Sequence, residues 1–164
     1  MDAARRRMRM GRLQFTLLAA LLSLTACGPS PVKHYDKPLT YAQANKEKDI
    51  DFPLPASSHN IYHGKYGEWQ AYTRLVRFEA PVEDCLKHID AVLAWDDKIY
   101  GRTSSYPRVQ LTHVDSVGTG YLGPTPWFDP GSIKRGVYAG ESSSHTPEIW
   151  VDLDKAVFYF KETD

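Results

Sequence analysis

Apolar and polar positions alternate along this chain with periods that change from segment to segment. Phe15 to Leu24 is apolar except for Thr16 and Ser23 and follows a cluster of arginines. From Gly28 to Ser58 no apolar period is visible. Prolines stand at 29, 31, 38, 53 and 55, and Gln43 to Asp51 is mostly polar, which predicts a tether with one helical turn near Tyr41 to Lys48. Two β-rich runs follow, Asn60 to Tyr66 and Trp69 to Glu79, the second ending at Pro81. Val82, Leu86, Ile89 and Leu93 then recur at spacings of four, three and four, with Cys85 and Val92 beside them, and predict an amphipathic helix. Pro81 suits its start, where a missing N–H would have no partner in any case, and Glu83 and Asp84 suit its first turn.

The clearest β signal lies at the C-terminal end. With a turn at Asp154 and Lys155, Leu153 would face Ala156, Val151 would face Phe158 and Ile149 would face Phe160, so that one face of a hairpin is wholly apolar. The other face would carry Trp150, Asp152, Val157, Tyr159 and Lys161. That division fixes the register, because a slip of one residue would expose every apolar group. Arg108 to Val114 and Arg135 to Gly140 supply two more strands. The expected fold is α+β: a mainly antiparallel sheet with one principal helix packed on it. The expected organisation is residues 1–26 as an export signal, 27–58 as a tether and 59–164 as a single domain.

Charge sharpens the picture. The chain has 20 basic and 20 acidic residues, but the first 26 hold five arginines and one aspartate. Without them, 15 basic and 19 acidic residues remain, a net charge of −4. A mildly acidic domain without a basic block does not suit nucleic acid, whose binding depends on Lys and Arg neutralising phosphates.

The arginine-rich start, the short apolar run and the small residues after it have the form of a secretory signal. At about 12 residues the run is too short for a bilayer core, which needs roughly 20. Leu24, Thr25, Ala26 and Cys27 resemble the lipobox of bacterial lipoproteins. The resemblance implies cleavage before Cys27, acylation of that residue, and attachment to a membrane through its acyl chains. Each buried methylene contributes about 0.8 kcal/mol, so two or three chains hold a protein in place. Gly28 after the cysteine implies, by the same resemblance, the outer membrane in preference to the inner. A tether of about 30 residues would have a coil-like span of roughly 30 Å and let the domain stand away from the bilayer.

The candidate chemistry is sparse. With Cys27 acylated, Cys85 has no intramolecular partner, and its place on the helix stripe reads as a small buried hydrophobe. His59 and His63 would lie about 13 Å apart on a strand, too far to share a metal ion, and no HExxH occurs. Gly118, Gly120 and Gly123 spell GxGxxG, but Pro124 and Pro126 follow where a dinucleotide site needs a helix. Ser30 to Lys33 reads SxxK inside the tether, and no GxSxG occurs. Asp96 with Asp97, and Asp152 near Asp154, read as solvated charge. Arg74 and Arg77 lie in opposite phases of one strand, so at least one should face solvent, and the other is a candidate partner for a helix carboxylate. No cofactor is expected.

Val117 to Gly136 lacks periodicity yet holds Tyr121, Leu122, Trp127 and Phe128 among three prolines. Loops of that length in compact domains are commonly functional, and the aromatic content argues against disorder. Tyr121, Trp127 and Phe128 are therefore the candidate binding residues; the competing reading has these aromatics close one end of the core. The segments RLVRFEAPVEDCL and EIWVDLDKAVFYF also resemble small uncharacterised bacterial lipoproteins, a resemblance that brings no activity or catalytic residue. The expected function is a non-enzymatic, envelope-anchored binding or inhibitory domain, such as an immunity-type protein with a protein partner in the envelope. An envelope enzyme with scattered catalytic residues and a structural envelope component are the alternatives.

Overall fold

The computed structural model describes residues 31–68, 71–101, 106–111, 125–141 and 145–163. The export signal, Cys27, the GxGxxG glycines and Tyr121 lie outside the described residues. Strands β1 (Pro31–His34), β2 (His59–Glu68), β3 (Ala71–Glu79), β4 (Val109–Leu111), β5 (Gly136–Gly140), β6 (Glu148–Asp152) and β7 (Val157–Thr163) form one sheet. It is seven-stranded, in the order β1-β2-β3-β7-β6-β5-β4, and every pairing is antiparallel. A single turn of helix, α1 (Tyr41–Ala44), precedes β2, and the principal helix, α2 (Val82–Tyr100), joins β3 to β4. This is the expected α+β arrangement.

The helix forms where expected, but its most buried line is displaced from Val82, Leu86 and Leu93, which are only partly buried, toward Cys85, Ile89 and Val92. Cys85, Ile89 and Val92 are buried against Val76, Phe78, Ile149, Val151, Phe158 and Phe160 of the sheet. Its N-terminal turn carries Glu83 and Asp84, and Gly101 ends it in the left-handed region at φ 64°, donating its N–H to the Asp97 carbonyl. The stripe also contains two polar residues, His88 and Asp96, both buried. Asp96 is thus core, not solvated charge. The Cys85 thiol is fully buried and donates to the Ala80 carbonyl, and burial pushes its pKa up to about 11.

The hairpin pairs as its pattern requires, with Val151 opposite Phe158 and Ile149 opposite Phe160. Its loop runs over four residues, Leu153 to Ala156, instead of two, and Ala156 takes φ 55°. Asp152, expected in solvent, is buried, and its Oδ1 accepts the N–H groups of Asp154 and Lys155 at 2.9 and 3.0 Å. The carboxylate supplies an acceptor inside the turn and removes two backbone donors that would otherwise need water.

The tether reading is corrected from residue 31 onward. β1 pairs with β2, Leu39 bridges to Ile61, and Thr40 and Gln43 cap α1 reciprocally. Ala44, Ile50, Phe52 and Leu54 are buried in the same core as the helix stripe. Phe52 sits 4.8 Å from the Phe160 ring and within 6 Å of His88 and Trp95. Asp49 and Asp51, on either side of Ile50, turn outward to Lys65 and Arg74. Residues 31–58 therefore belong to the domain.

Candidate functional site

The face of the sheet away from α2 is covered by an irregular segment, and a cleft opens where that cover ends. The register places one side chain from each of six strands in a transverse row on this face: Tyr62, Arg77, Tyr159, Trp150, Tyr138 and Val109. Strand periodicity sends their neighbours to the helix side, so this row repeats Tyr or Trp with a single cation among them. Arg77 lies over the Tyr62 ring, 5.6 Å from its centroid.

Residues 125–133 lie across the row. Phe128 is buried, meeting Tyr159 and Trp150 edge-on at 5.5 and 6.3 Å. Ile133 is buried beside it, and the short 3₁₀ turn Pro130–Ser132 closes the segment with Ile133 N–H donating to Pro130 and Ser132 N–H to Asp129. Close approach to the sheet depends on Gly136. A Cβ there would lie 2.5 Å from the Val151 carbonyl oxygen and 2.6 Å from Ile133 Cγ2. Trp127 is only partly buried. Its ring stacks on Tyr62 at 5.5 Å with an interplanar angle of 14°.

Beside Trp127 the cover leaves a cleft of about 370 Å³. Tyr62, Arg77 and Tyr159 line it from the sheet, while Pro126, Trp127, Asp129 and Ser132 line it from the covering segment. Asn60, Glu79 and Lys155 complete it. Its polar groups hold one another. Arg77 donates to Glu79 Oε1 at 2.5 Å and to the Asn60 carbonyl at 3.2 Å, and Asn60 Nδ2 donates to Glu79 Oε2 at 3.0 Å. Lys155 donates to Ser132 Oγ at 3.1 Å. Asn60 adopts φ 47° at a bulge between His59 and Tyr62, an uncommon backbone conformation that the Arg77 bond helps to hold. Burial raises the Glu79 carboxyl, but hydrogen bonds from Asn60 and Arg77 outweigh it and leave the group below its ordinary range. Burial holds the Tyr159 hydroxyl above its usual value, against the pull of Arg77. At neutral pH the cleft thus combines an ionised acid, a permanent cation and a neutral phenol.

A second polar cluster lies on the helix side, under residues 31–58. Arg74, 4 % exposed, donates from Nε to Glu162 at 2.9 Å and from a terminal nitrogen to Asp51 at 2.7 Å, and a second terminal nitrogen also bonds Glu162. Its partners come from β7 and the 45–58 connection, where a helix carboxylate had been expected. Burial opposes the Arg74 charge, and the two carboxylates outweigh it and raise its pKa. Lys33 bridges Glu47, which also accepts from Tyr35 at 2.5 Å. His63 is fully enclosed nearby, and burial drives its pKa down to about 4. His63, Arg74 and Glu162 are enclosed while Lys33 and Asp51 remain partly exposed, and the cluster fastens residues 31–58 to β2, β3 and β7. Among the described residues no group of three or more His, Cys, Asp or Glu could hold a metal ion.

Of the three sequence candidates, Trp127 lines the cleft, Phe128 is committed to the core, and Tyr121 lies outside the described residues. Asn60, Arg77, Glu79 and Tyr159 were not singled out as a site. Only the phase of Arg77, opposite to that of the buried Arg74, gave a hint. No protein-family model matches the chain, and no curated protein or solved structure matches it either.

Proposed function

We propose that this chain is a lipoprotein of the bacterial cell envelope, acylated at Cys27 and retained in the outer membrane, whose domain is a binding module and not an enzyme. The supporting observation is the cleft beside Trp127. Its aromatic wall and hydrogen-bonded side chains are held in place before any ligand arrives, which reduces the ordering cost of binding. General acid catalysis needs a carboxyl that keeps its proton near neutral pH. Glu79 is displaced the other way, and the Arg77–Glu79–Asn60 set is arranged to orient a ligand.

Two measurements test the reading. Cys27→Ser should abolish incorporation of labelled palmitate and leave an unprocessed or soluble form; palmitate labelling that survives would refute acylation at that residue. Hydrogen exchange of the intact protein, measured with and without isolated envelope fragments, should slow at residues 125–133 and 60–62. Exchange unaltered there while other surfaces become protected would place the binding site elsewhere.

A further inference from the structure

Resting on the binding role just argued, we infer that the cleft takes an uncharged, polyhydroxylated ligand: a sugar ring or a short saccharide chain laid against Trp127. Three observations carry this, and the first is charge balance. The ionisable pairs lining the cleft are Arg77 with Lys155 and Glu79 with Asp129, two cations against two anions. Arg77 is engaged by Glu79, and Lys155 by Ser132 and by Asp152 at 3.6 Å. An anionic ligand would meet the carboxylates and would have to draw Arg77 from Glu79 or Lys155 from Asp152, and a cationic ligand would lie against Arg77 and Lys155. A neutral ligand gains hydrogen bonds without separating a pair.

The second observation is the aromatic wall. The partly exposed Trp127 indole is stacked on Tyr62 and cannot swing without losing that contact. Ring faces carry negative quadrupole density, and the C–H groups on the flat face of a pyranose carry the complementary partial positive charge. The third is the polar group opposite. Asn60, Arg77 and Glu79 bring planar amide, guanidinium and carboxylate groups into one bonded set. Each hydroxyl of a sugar both donates and accepts, so a vicinal pair is matched by adjacent donors and acceptors of this kind. A cleft of about 370 Å³ is at the small end of ligand sites and suits a ring or two better than a folded protein surface.

The test uses the full chain carrying Cys27→Ser, titrated by calorimetry and tryptophan fluorescence with the trimer of N-acetylglucosamine and with maltotriose. Saturable binding of either trisaccharide is expected, reduced about tenfold or more by Trp127→Ala, with Trp127→Tyr retaining most of it and both variants keeping the native circular dichroism spectrum. Binding that is unaffected by Trp127→Ala would overturn the assignment to this cleft. If neither trisaccharide binds while envelope fragments still protect residues 125–133, the saccharide inference fails and the binding role stands, with a protein partner in the envelope as the occupant of the cleft. If neither trisaccharide binds and the fragments protect no surface of the chain, both fall.

Discussion

Replacing Phe52 by alanine separates two views of residues 31–58. In a tether, the side chain would be solvated and its loss would leave stability within ~0.5 kcal/mol. In the structure, Phe52 is 3 % exposed and its ring meets Phe160, His88 and Trp95. Truncating a buried phenylalanine costs about 3–5 kcal/mol, the lost transfer free energy together with the cavity left behind. Collapse of the site is limited, because Phe160 sits on a central strand and Trp95 on the helix, both fixed by other contacts. Against a total stability of ~5–15 kcal/mol this is a large fraction. With a urea slope near ~2 kcal/mol/M, the unfolding midpoint should fall by about 2 M without a change in slope. Equilibrium unfolding followed by tryptophan fluorescence and far-UV circular dichroism measures it. A midpoint within about 0.3 M of the parent would refute the packing argument and return residues 31–58 to a tether.

Other consequences follow from burial and charge. Phe128→Ala should cost about 3–5 kcal/mol by urea unfolding and Trp127→Ala less than half of that, because only Phe128 is enclosed; equal losses would place Trp127 in the core. His63 and His88 are held neutral by burial, with pKa values lowered from 6.5 to about 4. Their unfolded forms take up protons first as pH drops, so stability should be level above about pH 7 and fall from 6.5 toward 4, by up to about 3 kcal/mol for each histidine. A denaturation midpoint that stays flat from pH 7 to about 4.5 would contradict this. Arg74→Met should destabilise by about 3–5 kcal/mol by leaving Glu162 buried without its cation, and Arg74→Met with Glu162→Gln should recover much of the loss; an additive double variant would show that the pair is not coupled. Cys85 should react with a thiol reagent only as fast as the domain opens, and labelling at the rate of a free thiol would refute its burial.

The helix and the final hairpin were legible because each writes its partner surface into a local period. Cys85, Ile89 and Val92, with Leu86 and Leu93 at the edge, form the stripe, and Ile149, Val151, Phe158 and Phe160 define the face it meets. The loop between β6 and β7 is two residues longer than expected, yet the register is unchanged, because it takes one residue from each strand, Leu153 and Ala156. Within residues 31–58 the helical turn at Tyr41–Ala44 was legible, but the packing of the segment into the domain was not. Ile50, Phe52 and Leu54 do alternate, but they stand among Asp49, Asp51, Pro53 and Pro55, and the groups that neutralise those acids lie on strands distant in sequence. The hairpin's other face misled in the same way. Trp150, Val157 and Tyr159 are buried only because Phe128 and Ile133 fold over them from a segment without periodicity. In the cleft, Trp127 was conspicuous as an aromatic among prolines, whereas Arg77 and Glu79 gained meaning only when β2 placed Asn60 and Tyr62 opposite them.

If Cys27 carries the acyl chains proposed for it, the inclusion of β1 in the sheet also limits the clearance between domain and lipid. A tether ending near residue 58 would let the domain range tens of ångströms from the bilayer. With the acyl chains proposed at Cys27 and the sheet beginning at Pro31, the intervening chain reaches at most about 14 Å. The protein would then ride on the headgroups as a fixed body, presenting one end of its strands to them. Pro31 pairs with Tyr66, six residues along β2 from Asn60, which at about 3.3 Å per residue sets the Asn60 end of the cleft roughly 20 Å farther along the strand direction. Anchor and cleft would then lie toward opposite ends of β2, and whatever the cleft holds would be kept within a limited range of heights above the membrane.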